Sequence, residues 1–120
     1  MTDLTPAEVE YLHGQRLGRI ATIGPDGAPQ ARPVGFRYNP ELKTVDIGGR
    51  NLVASRKYRN LEADPRVSFV VDDLETISPW VPRGIEMRGT TELLPDEVPH
   101  ASLPPGVIRI HIDRIFSWGL

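Results

Sequence analysis

Turns constrain this chain more than any other feature. Pro25-Asp26-Gly27 separates Leu17-Gly18-Arg19-Ile20-Ala21-Thr22-Ile23 from the segment 28–38, and Asn39-Pro40-Glu41 turns that segment into Thr44-Val45-Asp46-Ile47-Gly48. Tight turns between short β-rich runs are the mark of antiparallel hairpins. Pro33 and Gly35 interrupt the second run, which marks an edge, a bulge or a place where a ligand meets main chain. Further on, Arg66-Val67-Ser68-Phe69-Val70-Val71-Asp72 is apolar enough for a central strand, while 84–94 alternates Ile85, Met87 and Leu93 against Glu86, Arg88 and Glu92 as a half-exposed strand does. Residues 107–118 close the chain with the same alternation. The segment 78–83 predicts a proline-punctuated loop, and 95–105, with four prolines and no apolar period, predicts a mobile surface loop.

Helices are few. Thr5-Pro6-Ala7-Glu8 combines a capping residue, a proline at the first helical position and a glutamate three residues after the cap, so a helix runs to about Leu12 before Gly14 stops it. A second, basic helix ends at Asp64-Pro65. About six strands and two short helices joined by hairpins, with no βαβ alternation, predict a mainly β protein: one domain spanning 1–120, built as a small antiparallel barrel. Gly48-Gly49 lacks the G-x-G-x-x-G spacing of a dinucleotide fold.

Composition narrows the functions open to such a barrel. With 120 residues there is room for one core but not for separate cofactor and substrate domains, so a large ligand calls for a second subunit. Cysteine is absent, which excludes disulfides, thiolate nucleophiles and cysteine metal sites. A formal net charge of −2 and few aromatics argue against a nucleic-acid partner. The opening Met1-Thr2-Asp3-Leu4 has no charged-then-apolar leader and no apolar run reaches membrane length, so a soluble, cytoplasmic protein is expected. His13, His100 and His111 show no metal-ligand spacing, and Asp72, Asp73 and Glu75 fit a solvated strand end better than a cation site. No protein-borne catalytic acid or nucleophile, and no metal, is expected.

Against this acidic background one patch is basic. Arg50, Arg56, Lys57 and Arg59 fall between Gly48-Gly49 and Glu62 with no acid among them. Glycines that let backbone approach, Asn51 or Ser55 as a cap, and Arg56 and Lys57 at a helix start make up an anion site, suited to phosphate. The competing reading is a solvated helical face that balances Glu62 and Asp64.

These residues also resemble a known family. Leu17 to Ile23, Pro25-Asp26-Gly27-Ala28-Pro29-Gln30, Pro33-Val34-Gly35-Phe36, Lys57-Tyr58-Arg59-Asn60-Leu61 and Asp64-Pro65-Arg66-Val67 look like the pyridoxamine-phosphate-oxidase-like split β-barrels. Among these the chain is most similar to the deazaflavin (F420)-dependent oxidoreductases of actinobacteria, over nearly its whole length. The resemblance implies a six-stranded split barrel and a homodimer with two cofactor sites at the subunit interface. It implies hydride transfer from reduced F420 to a small unsaturated organic substrate, with the proton coming from solvent or Tyr38. The same fold using FMN, and a non-catalytic F420 carrier, are the alternatives.

Carried over by position, Lys57 matches the lysine on the cofactor phosphate, with Ser55 and Arg56 beside it. Gly48, Gly49, Arg50 and Asn51 lie in the loop that shapes the phosphate and side-chain pocket. Gln30, Ala31, Arg32, Pro33 and Val34 correspond to the strand under the ring, contacting it mostly through backbone groups, although Pro33 lacks one donor. Trp80 and Trp118 are candidates to cover the ring from the partner subunit, or else pack in the core or interface.

Overall fold

A computed structural model describes residues 3–100 and 102–120; Met1, Thr2 and Ala101 lie outside the described residues, and with them the reading of the first two positions. Thr5 caps α1 (Pro6–His13) in a capping box: its hydroxyl accepts from the Glu8 amide while Glu8 accepts from the Thr5 amide. Gly14 ends the helix, as its position in the sequence requires.

Seven strands follow: β1 (Leu17–Ile23), β2 (Pro29–Gly35), β3 (Arg37–Asn39), β4 (Thr44–Ile47), then α2 (Arg56–Ala63), β5 (Arg66–Thr76), β6 (Val81–Leu94) and β7 (Val107–Trp118). The expected six become seven because the run 28–38 breaks at Phe36. Its two halves pair with different neighbours, β2 with β1 and β3 with β4. All neighbours are antiparallel, in the order β2-β1-β5-β6-β7-β4-β3. The two edge strands are therefore consecutive in the chain, so the sheet must curl until its edges approach at Phe36. The result is a split barrel.

Packing explains the curl. Phe69, Ile20, Ile47, Ile85, Met87, Ile108 and Ile110 fill the interior, and Phe36 meets Phe69 edge-to-face with centroids 5.2 Å apart. The Phe69 ring lies so close to Gly18 that a Cβ there would come within 2.7 Å of ring carbon, so β1 needs glycine at that position.

One sequence expectation changes at β7. Val107 through Ile110 are buried without alternation. The reason is the proline-rich segment before β7, which lies on the surface as expected while Glu97, Pro99 and Leu103 pack toward β4 and β7. The Gly106 amide donates to the Glu97 carbonyl at 2.7 Å, and Glu97 also bonds Arg109 on β7. The loop thereby screens the outer face of a strand whose inner face is already core.

Candidate active site

The basic helix start is real and locally well specified. Ser55 caps α2, accepting from the Tyr58 amide at 3.3 Å and donating its own proton to the Leu52 carbonyl. Ser55 thus shapes the helix start, and its hydroxyl hydrogen is already committed. Tyr58 and Leu61 turn into the core, which sends Arg56, Lys57 and Asn60 along a face directed at β1 and β2.

There a pocket of about 180 Å³ is lined by Gln30, Arg32 and Pro33 of β2 and by Ser55, Arg56 and Lys57. Six of the residues expected at the site meet in this one place. Arg32, Arg56 and Lys57 make no ion pair among the described residues; Arg32 donates only to the carbonyl of its neighbour Ala31. Burial, reinforced by Arg32, pushes the Lys57 ammonium below its usual range. Cations in the first turn of a helix also face the positive end of its dipole, and α2 has no acid there to offset them. A cluster that repels itself and lacks counter-charge fits an external anion, and a phosphate is the size of group it suits.

Strand β2 has an equally defined chemistry. The Gly24 amide bonds the Ala28 carbonyl at 2.9 Å, which sets the phase of the β1–β2 ladder: Thr22–Gln30, Ile20–Arg32 and Gly18–Val34 are the hydrogen-bonded pairs. Backbone groups of 29, 31, 33 and 35 therefore point to the open edge. Pro29 and Pro33 both fall there, so the missing donor at Pro33 costs the ladder nothing but strips the edge, leaving only the Ala31 and Gly35 amides. Val34 is a core residue and presents no side chain to the pocket.

Sequence reasoning missed Asn60. Its side-chain amide, nearly buried, donates at 3.0 Å to both the Thr22 hydroxyl and the Gln30 side-chain carbonyl. The Gln30 NH2 group is turned toward Gly24, where a Cβ would stand 2.6 Å from it. The signal was present: Asn60 stands four residues after Arg56 and three after Lys57, on one helical face.

Other expected residues lie elsewhere. Arg50 and Asn51 are exposed in the turn before α2 and do not line the small pocket. Gly48 does permit a close approach, but of protein: a Cβ there would stand 2.8 Å from Pro99. Gly49 is in ordinary contact range of Leu52. Trp118 occupies the space beside Gly84, and Trp80, 67% exposed, sits at the β5–β6 turn. Neither tryptophan lines the pocket. Tyr38 is buried next to His13 on the far side of Phe36, where burial raises its phenol above the usual range, and it too is outside the pocket.

A second cavity, about 550 Å³, opens past the end of β2, between Gly35-Phe36-Arg37 on one side and Glu97, Val98, Pro99, His100 and Leu103 on the other. Arg109 is buried at its base, holding Asp46 through two 3.0 Å bonds and Glu97 through a third. Asp46 also accepts from Asn39 and Thr44. Although burial opposes it, these bonds, Arg109 foremost, hold the Asp46 carboxyl below its ordinary range. The sequence hint was an arginine and an aspartate set singly within the apolar runs of β7 and β4.

Comparison with known proteins decides the family. Residues 4–119 match the pyridoxamine 5'-phosphate oxidase family. This chain belongs to that family. A Streptomyces rimosus relative, a 5a,11a-dehydrotetracycline/5a,11a-dehydrooxytetracycline reductase, is 41% identical over 97% of the chain and 83% of its own length. A solved F420 reductase shares the fold at TM-score 0.70 with 24% identity, covering 93% of this chain and 98% of its own. An FAD-binding protein from Mycobacterium smegmatis does so at TM-score 0.71 with 23% identity, covering 98% and 97%. The family match and the curated relative make this member of the family an oxidoreductase of the reductase kind. Among the described residues no helix is long and apolar enough to cross a membrane, and no cluster of three or more histidine or acidic groups could hold a metal.

Proposed function

We propose that this protein is an F420-dependent reductase acting on a carbon–carbon double bond conjugated to a carbonyl in a small organic substrate. The observation that carries the reading is the pocket of uncompensated cations at the capped start of α2. Lys57, Arg56 and the α2 amides would hold the cofactor phosphate, with Gln30, held by Asn60, forming part of the wall beside them. The Ala31 amide, between the pocket residues Gln30 and Arg32 on the stripped edge of β2, would be a backbone donor for the ring. When bound, reduced F420 supplies a hydride, and a proton from water completes saturation of the double bond. The residues bind, orient and exclude solvent; none of them is asked to act as nucleophile. The Streptomyces relative, named for reducing dehydrotetracyclines, supports the choice of substrate class.

Two observations support a homodimer. Ile77, Trp80, Phe116, Trp118 and Leu120 are exposed apolar side chains along the β5–β6 turn and the end of β7, and the small pocket is too shallow to enclose a tricyclic ring alone. Trp80 is then the better placed of the two tryptophans to reach a neighbouring subunit. FMN remains the second reading, because the cations grip a phosphate whichever ring it carries. Titrating the pure protein with F420 and with FMN tests the proposal, followed by light scattering of the complex. Tight F420 binding by a species of twice the chain mass is expected; tight FMN binding with weak F420 binding overturns it.

A further inference from the structure

The 550 Å³ cavity has no part in holding phosphate, yet it is built like a ligand site. Its walls are substantially apolar, through Phe36, Val98, Pro99, Leu103 and Val107. Its two carboxylates are spoken for: Asp46 accepts from Arg109, Asn39 and Thr44, and Glu97 accepts from Arg109. Arg16 and Arg37 line it as well, and neither makes an ion pair among the described residues. Three arginines face two carboxylates, a net charge of +1, and Arg16 and Arg37 are the two that carry no ion pair among the described residues. A partly apolar cavity whose two charged groups without an ion pair are both guanidiniums selects an apolar body that carries negative charge.

Position adds the second argument. β2 contributes Pro33 to the small pocket and Gly35 to the large one, two residues apart. At about 3.3 Å per residue that spacing is roughly 7 Å, shorter than a tricyclic ring. A molecule anchored by phosphate in the small pocket, and longer than this spacing, can extend to the mouth of the large one.

We propose that this cavity is the substrate pocket and that Arg16 and Arg37 are its specificity residues, selecting a planar organic anion such as an enolate or carboxylate of a conjugated ring system. The inference rests on the reductase reading for the word substrate, but the binding site stands apart from it. Val98, Pro99 and Leu103, beside the Glu97 that is tied to Arg109, form the outer wall.

Two fluorescent probes with one skeleton test it: 8-anilinonaphthalene-1-sulfonate, an anion, and N-phenyl-1-naphthylamine, its neutral counterpart. In the Arg16→Gln/Arg37→Gln protein, affinity for the sulfonate falls about tenfold or more while affinity for the amine changes less than about twofold. Gly35→Leu, whose new Cβ meets nothing nearer than the Arg16 carbonyl at 3.9 Å, fills the cavity and weakens both probes. Unchanged sulfonate binding in the double variant, an equal loss for both probes, or unchanged binding in Gly35→Leu each overturns the proposal. F420 titration of the same proteins separates the two claims. Normal F420 affinity in the unsubstituted protein and the double arginine variant, together with the expected probe losses, upholds both; failure to bind F420 even in the unsubstituted protein overturns the cofactor reading and leaves the anion pocket standing.

Discussion

Two arginine-containing regions of this barrel use charge in opposite ways. At the start of α2, Arg32, Arg56 and Lys57 gather around a small pocket with no carboxylate to meet them. At the base of the larger cavity, Arg109 is 8% exposed and carries two carboxylates of its own. The first cluster works against the fold and pays off only when an anion arrives. The second is part of the fold, because a buried guanidinium without partners would be far costlier than any benefit of its position. Pairing, not residue type, separates a binding cation from a structural one.

The largest effect should come from the structural side. Arg109→Met leaves Asp46 buried and without its main partner, which should cost about 3 kcal/mol or more of stability. Urea unfolding measures it, and an unchanged midpoint would mean that Asn39 and Thr44 suffice for Asp46. Cofactor affinity of the folded fraction should barely move.

Lys57→Ala should show the reverse pattern. Loss of one charge-assisted contact weakens cofactor binding by about 1.5 to 3 kcal/mol. Melting temperature without cofactor should hold or rise slightly, since a repelled cation has been removed. A dissociation constant equal to that of the unsubstituted protein would sink the phosphate assignment, and a large loss of stability would erase the contrast with Arg109.

A finer test concerns the tail of the cofactor. Arg56 and Arg59 also line an open cleft on the outer side of α2, next to the Gly24–Gly27 turn. F420 carries lactyl and glutamyl carboxylates beyond its phosphate, whereas FMN ends there. Arg56→Gln combined with Arg59→Gln should therefore weaken F420 several-fold more than FMN at low salt, with the gap closing as salt rises. Equal losses would show that these arginines see only the phosphate and would move FMN ahead.

The smallest effect is the pH dependence, where the same direction of shift has opposite meanings in the two regions. Asp46 is held below its ordinary range, so its bonds stabilise the fold above a carboxylate's usual pKa of about 4 and are lost as pH falls below that. Asp73, held near 2 chiefly by Arg83 with help from Tyr11 and Gln15, adds to the same acid limb between about pH 4 and about 2. Lys57 is also depressed, but for a lysine this means the charged form is disfavoured in the fold. Its contribution at neutral pH is destabilising and is relieved as pH rises toward the usual lysine range. Asp73→Asn should flatten the acid slope, leaving the share of Asp46, and Lys57→Met should flatten the alkaline rise; unaltered slopes would assign them to other groups.

How much of this could be read before folding depends on the range of the interaction concerned. The Thr5–Glu8 capping box, the Ser55 cap, the turns at Pro25-Asp26-Gly27 and Asn39-Pro40-Glu41, and the apolar run of β5 are all decided within a few residues, and the sequence specified them. The cation-rich start of α2 was legible for the same reason. Tertiary structure decided the rest. Only pairing with different neighbours shows that the run 28–38 is two strands, and only the ladder phase set at Gly24–Ala28 shows that Pro33 faces the open edge. Arg56 and Arg50 look alike in the chain, yet the curl of the sheet brings β2 to one and not to the other. Asp46 and Arg109 stand 63 positions apart, and nothing local foretells that a proline-rich loop will fold over them. Local sequence fixes backbone conformation and charge; which charges meet is settled by closure of the barrel, because electrostatic and hydrogen-bond energies depend on distances that only the folded chain defines.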